Sequence, residues 1–129
     1  MKTNIVINFQ FEALHHWETC PEDHSQAYLK YPHRHIFYIQ LKIPVLHDDR
    51  DIEFIELKQR IIDDLSFRVE TITQTIKTSA TEQFVISNKD FGAMSCEMIA
   101  KDLLQRWNAV YVRVLEDNEN GAEVYKEEY

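Results

Sequence analysis

YPHRHIFYIQLKIPV, residues 31–45, sets two histidines one residue apart at the head of a strand-like run. His33, His35, Phe37, Ile39, Leu41 and Ile43 share one parity. Spacing of two predicts a strand with one buried face, and it puts both histidines on the apolar side at one end. Residues 5–15 repeat the pattern. Ile5, Ile7, Phe9, Phe11, Ala13 and His15 fall on one face, while Asn8, Gln10 and Glu12 fall on the other, with Val6 the exception. If the two strands pair antiparallel, the end of the first lies beside the start of the second. His15 then joins His33 and His35 on one face of one sheet edge.

Three neutral imidazoles with an open fourth position are the donor set that catalytic zinc uses to bind water or a substrate oxygen. A plainer description competes with it: strand ends often hold half-buried histidines bonded to backbone carbonyls, and the chain would then be a structural oligomer without metal. The other histidines leave the cluster intact. His16 points to the opposite face, and His24 and His47 fall in loops, although His24 could swing in as a fourth ligand or an acid–base group.

The totals bound the function. A chain of 129 residues with 44% hydrophobic and 28% charged content is one soluble globular domain, residues 1–129. Its net charge of −8 and lack of a basic patch argue against nucleic acid. No window reaches the length of apolar sequence a membrane helix needs, and the alternating N-terminus is unlike a signal peptide. Two cysteines, Cys20 and Cys96, fit a reducing compartment, so the expected location is cytoplasmic.

Along the chain, residues 16–32 show no periodicity, and a loop that long is usually functional or mobile. Phe54, Leu57, Ile61, Leu65, Val69, Ile72 and Ile76 make one stripe of a long helix, which could be interrupted near Ser66. Residues 77–93 read as a connector with Gly92 as its turn residue. A second helix follows from Ser95, a suitable N-cap, to Trp107, with Cys96, Ile99, Ala100, Leu103 and Trp107 inward. Val110, Val112, Val114 and Glu116 then alternate up to a DNENG turn, and AEVYK returns. The expected fold is α+β, β–β–α–α–β–β, with a four-stranded antiparallel sheet and two helices on one face.

Glu116 stands where that alternation calls for an apolar residue. Either the strand has ended and Glu116 belongs to the turn, or its carboxylate sits at a pocket floor. There it could accept two parallel N–H bonds from a guanidine-like edge such as that of a pterin or guanine.

Taken in order, these segments resemble the 6-pyruvoyltetrahydropterin synthase and 6-carboxytetrahydropterin synthase family. FEALHHW (11–17) resembles its F-x-A-x-H segment and HRH (33–35) its H-G-H. EFIELK (53–58) resembles the D-F-x-x-L-K opening of its first helix, and SCEMIA (95–100) its P-T-x-E-N-x-A helix start. VRVLEDNENGAEVY (112–125) is similar to its closing V-x-V-x-E-T hairpin. The resemblance implies a tunnelling fold, in which subunits join their sheets into a barrel, commonly a hexamer. It implies zinc held by His15, His33 and His35, a dihydroneopterin triphosphate-type pterin as substrate, and Glu116 as the anchor of the pterin ring. The nearest named activity, 6-carboxytetrahydropterin synthase, is a lyase that feeds 7-deazaguanine (queuosine) synthesis.

Departures from the pattern define the second expectation. The family's catalytic cysteine precedes its H-G-H at a position occupied here by Ala27, Tyr28 or Leu29, and Cys20 lies further upstream. Its Asp-His pair falls on Val69 and Glu70, its H-G-H glycine on Arg34, and the threonine after its glutamate on Asp117. Either Cys20, His24 or Glu70 takes up proton transfer in a lyase of this kind, or the chain is a non-catalytic protein that binds zinc and a pterin- or purine-like ligand.

Overall fold

Two long alternating segments dictate the centre of the fold. In a computed structural model that describes residues 1–129, β1 (Thr3–His15) and β2 (His33–Val45) pair antiparallel from Thr3↔Val45 to His15↔His33. Ile7, Phe9, Phe11 and Ala13 of β1 face inward with Phe37, Ile39, Leu41 and Ile43 of β2, all buried. Asn8, Gln10 and Glu12 face solvent on the other side. Arg34 sits on that outer face too, where its guanidinium donates to Glu12 at 2.6 Å. A side chain there costs the inner face nothing.

Helix α1 (Phe54–Arg68) starts where the Glu53 side chain accepts from the Ile55 amide at 2.6 Å. It buries Leu57, Ile61 and Leu65, four residues apart. Helix α2 (Cys96–Arg106) is capped by the Ser95 hydroxyl, which accepts from the Met98 amide, and buries Cys96, Ile99, Ala100 and Leu103. Both helices and the inward residues of the sheet form one apolar core, so both cover the same face. The hairpin β5 (Tyr111–Glu116) and β6 (Asn120–Tyr125) completes that side. Asp117 and Asn118 make its turn at φ 53° and 59°, the left-handed region that these two residue types tolerate best. Gly121 lets β6 approach β5, because a Cβ there would run into the Val114 carbonyl.

The sheet is larger than the sequence indicates. It has six strands in the order β3-β4-β1-β2-β5-β6, and it is mixed rather than purely antiparallel. The helical stripe ends at Arg68, and Ile72 and Ile76 belong to β3 (Glu70–Lys77). The expected connector contains β4 (Gln83–Asp90), antiparallel to β3 and joined in parallel to β1 at Leu14↔Asp90. The misreading has a simple cause. Residues four apart share a face in a helix and also in a strand, so Ile72 and Ile76 fit both periods. The threonines between them favour the strand. Every residue of β3 is exposed, so no buried face marks its register.

Gly92 lies in the turn after β4 with φ +68°, and its carbonyl accepts from the His16 amide at 2.9 Å. The segment between β1 and β2 holds one short 3-10 turn, Ala27–Lys30, tied back where the Trp17 amide donates to the Leu29 carbonyl. No helix is long and apolar enough to cross a membrane.

Leu103 is fully buried between α2 and the sheet. Leu103→Ala should cost about 2–5 kcal/mol, seen as a lower urea midpoint with unchanged slope. Ile72→Ser, on the exposed β3, should stay within about 0.5 kcal/mol.

Candidate metal centre

The β1–β2 register sets His15 directly opposite His33, and His35, paired with Ala13, stands one step along the same face. Ring centroids lie 4.5 Å apart for His15–His33, 5.2 Å for His15–His35 and 5.0 Å for His33–His35. One nitrogen from each falls within 4.8 Å of the other two, so the three residues could hold a metal ion.

The outer nitrogens are engaged. His15 Nδ1 is 2.9 Å from the Met94 carbonyl, His33 Nδ1 is 2.8 Å from the Tyr31 carbonyl, and His35 Nδ1 is 2.7 Å from Asp117 Oδ2. Each partner is an acceptor, so in the neutral ring each Nδ1 carries the proton and each Nε2 the lone pair. Metal-bound histidines are usually oriented in this way by a carbonyl or carboxylate behind them. Asp117 is itself fixed, its Oδ1 accepting from the Ile36 amide at 2.9 Å. Its hydrogen bond to His35 holds the Asp117 carboxyl below the usual range.

Glu116 closes the cluster. It ends β5 opposite Phe37 and, as the alternation requires, faces inward. Its Oε1 lies 3.2 Å from His15 Nε2 and its Oε2 3.3 Å from His35 Nε2. Those two nitrogens are buried and have no aligned hydrogen-bond partner. A lone pair and a carboxylate oxygen repel at this distance unless a cation lies between them, either a proton on the imidazole or a metal ion. At His15 without metal, a proton on Nε2 serves. Burial opposes charge on His15, but the Glu116 carboxylate and the Met94 carbonyl outweigh it and raise its pKa. The same contact with His15 lowers the pKa of Glu116 against the effect of burial. Desolvation and its two neighbouring imidazoles lower that of His33, despite the Tyr31 carbonyl.

His15, His33, Glu116 and Cys96 line a cavity of about 660 Å³, with Trp17, Leu29 and Met94 among its other walls. Cys96 reaches the site from the start of α2, its Sγ 3.6 Å from Glu116 Oε1. Burial, reinforced by that carboxylate, pushes the thiol up to about 12. In the sequence Cys96 reads only as one position of a helical stripe, and Asp117 only as a turn residue. Nothing local marks either one, because the contacts span 20 residues for Cys96–Glu116 and 82 for His35–Asp117.

The three proton-transfer candidates do not line this cavity. Cys20 is buried with its Sγ 3.7 Å from the Pro21 carbonyl. His24 packs against Trp17 at 4.9 Å and accepts from the Gln26 amide. Glu70 opens β3 beside a separate cavity with Arg68 and Asp90. Fold and site together define an α+β protein with a three-histidine group suited to a metal ion. No protein-family model and no curated protein matches the chain.

The raised pKa of His15 means that its protonated form stabilises the metal-free fold at low pH, and that this contribution is lost as pH rises through its folded value. Glu116 works in the opposite sense, its contribution being lost as pH falls through its depressed value. Glu116→Gln should therefore lower the His15 pKa in metal-free protein, read from imidazole proton shifts by NMR. An unchanged titration would mean that the carboxylate does not govern His15.

Proposed function

We propose that this chain is a divergent tunnelling-fold protein of the 6-pyruvoyltetrahydropterin and 6-carboxytetrahydropterin synthase kind. It holds zinc through His15, His33 and His35 and takes a dihydroneopterin triphosphate-type pterin in the adjoining cavity. One observation carries the metal: three Nδ1 atoms are engaged by acceptors, one nitrogen of each ring lies within 4.8 Å of the other two, and the Nε2 atoms of His15 and His35 are buried without aligned partners. Three imidazoles suit zinc, which when bound would supply a Lewis acid that polarises a ligand oxygen.

The chain's own residues do the rest. Asp117 orients His35, and the Met94 carbonyl orients His15. Glu116, with its side chain 32% exposed, keeps a face toward the cavity for the paired N–H groups of a heterocycle edge. A volume of about 660 Å³ lies in the range of small-molecule pockets. The free edges of the sheet, β3 and β6, leave backbone groups for joining subunits, as the hexamer of the resemblance requires. Two unpaired cysteines fit a reducing, cytoplasmic setting.

The absence of Cys20, His24 and Glu70 from the cavity supports a second reading, in which the protein binds zinc and a pterin- or purine-like ligand without turnover.

Zinc content of purified protein, measured by mass spectrometry, should be near one per chain and near zero in His33→Ala/His35→Ala. Equal zinc in both would sink the site. Asp117→Asn should weaken zinc affinity by about 10- to 100-fold in a competition titration with a chelator. Incubating the zinc-loaded protein with dihydroneopterin triphosphate then separates the two readings: a pyruvoyl or carboxy product, or released acetaldehyde, identifies a lyase, and retained but unaltered pterin identifies the binding protein.

A further inference from the structure

Cys96 is only 5% exposed, yet it lies on the wall of the histidine cavity. Its neighbours on the inner stripe of α2 are Ile99, Ala100 and Leu103, which face other apolar groups. Packing alone would be met at this position by alanine, as it is at Ala100. The thiol instead faces a carboxylate, with Sγ 3.6 Å from Glu116 Oε1, and the S–H is the donor.

A second, independent feature points into the same place. His15 is 6% exposed, and its Nε2, without an aligned partner, lies 3.2 Å from that same Oε1. A single oxygen thus stands between a thiol and a metal-ready nitrogen, on the wall of a cavity large enough for a bicyclic heterocycle. Apart from the imidazoles, Cys96 and Glu116 are the titratable side chains that combine contact within this group with a place on that wall, where Met94 reaches His15 only through its backbone carbonyl.

We propose that Cys96 is the proton-carrying group of this pocket: its thiol, held by Glu116, touches the bound heterocycle and exchanges its proton with it. In the forward direction the S–H bond breaks as an O–H or N–H bond forms on the ligand, leaving a thiolate. The reverse transfer restores the thiol. No oxidation state changes and no co-reactant is consumed. Cys96 is not a ligand of the metal in this assignment. The inference rests on a heterocycle occupying the cavity, as proposed above.

Its test uses zinc-loaded full-length protein with neopterin as the probe. The infrared S–H stretch of Cys96 is isolated as the difference between the protein and Cys96→Ala, with Cys96→Ser as the reference should the alanine variant not fold. Neopterin binding is read separately from the anisotropy of its own fluorescence. The S–H band should move when neopterin binds and also in Glu116→Gln, whereas zinc should remain near one per chain in both cysteine variants. A band unmoved by neopterin that demonstrably binds overturns the role of Cys96 and leaves the heterocycle pocket standing. Loss of zinc in both cysteine variants overturns it by making Cys96 a ligand. Failure of neopterin to bind at all removes the heterocycle pocket, and this inference with it.

Discussion

The antiparallel register of β1 on β2 is the constraint on which the rest of the site depends. It sets His15 against His33 and sends Ile7, Phe9, Phe11 and Ala13 of one strand and Phe37, Ile39, Leu41 and Ile43 of the other to the core. A slip of β1 by one residue would turn His15 away from His33 and His35 and expose Phe9 and Phe11 with it. The burial of those aromatic and branched side chains therefore holds the site in place. A second register, Phe37↔Glu116, brings the end of β5 to the same edge and delivers both Glu116 and Asp117.

Around that edge, each imidazole is aimed by a different part of the chain. The Met94 carbonyl comes from the segment before α2, the Tyr31 carbonyl from the loop before β2, and the Asp117 carboxylate from the β5–β6 turn. Dividing the task among three elements means that no single loop movement releases all three rings. It also leaves a patch of lone pairs facing Glu116, a charge arrangement that a cation relieves. The left-handed backbone of Asp117 contributes directly, since it places that carboxylate where it can accept from the Ile36 amide and from His35 together.

Strands with a buried face were legible, as were helices with a narrow apolar stripe. The odd residues of β1 and β2, the stripe Leu57–Ile61–Leu65 and the Ser95 cap all fall where spacing and capping chemistry put them. β3 and β4 were not legible, because neither has a buried face of its own and Ile72 and Ile76 stand at an interval common to both periods. For Glu116, alternation alone left turn and pocket open. Pairing with β2 decided it, by extending β5 through Glu116 and carrying its carboxylate inward.

By itself the sequence determined the three histidines as a set, since parity and strand order need only local pattern and one pairing rule. It also determined the face they occupy and the inward stripes of both helices. Tertiary structure alone decided what surrounds them: Asp117 behind His35, the Cys96 thiol on Glu116, and a cavity lining that does not include Cys20, His24 or Glu70. The physical reason is range. Periodicity reports which way a side chain points, whereas its partner depends on segments dozens of residues away that meet only when the sheet and helices close on one core.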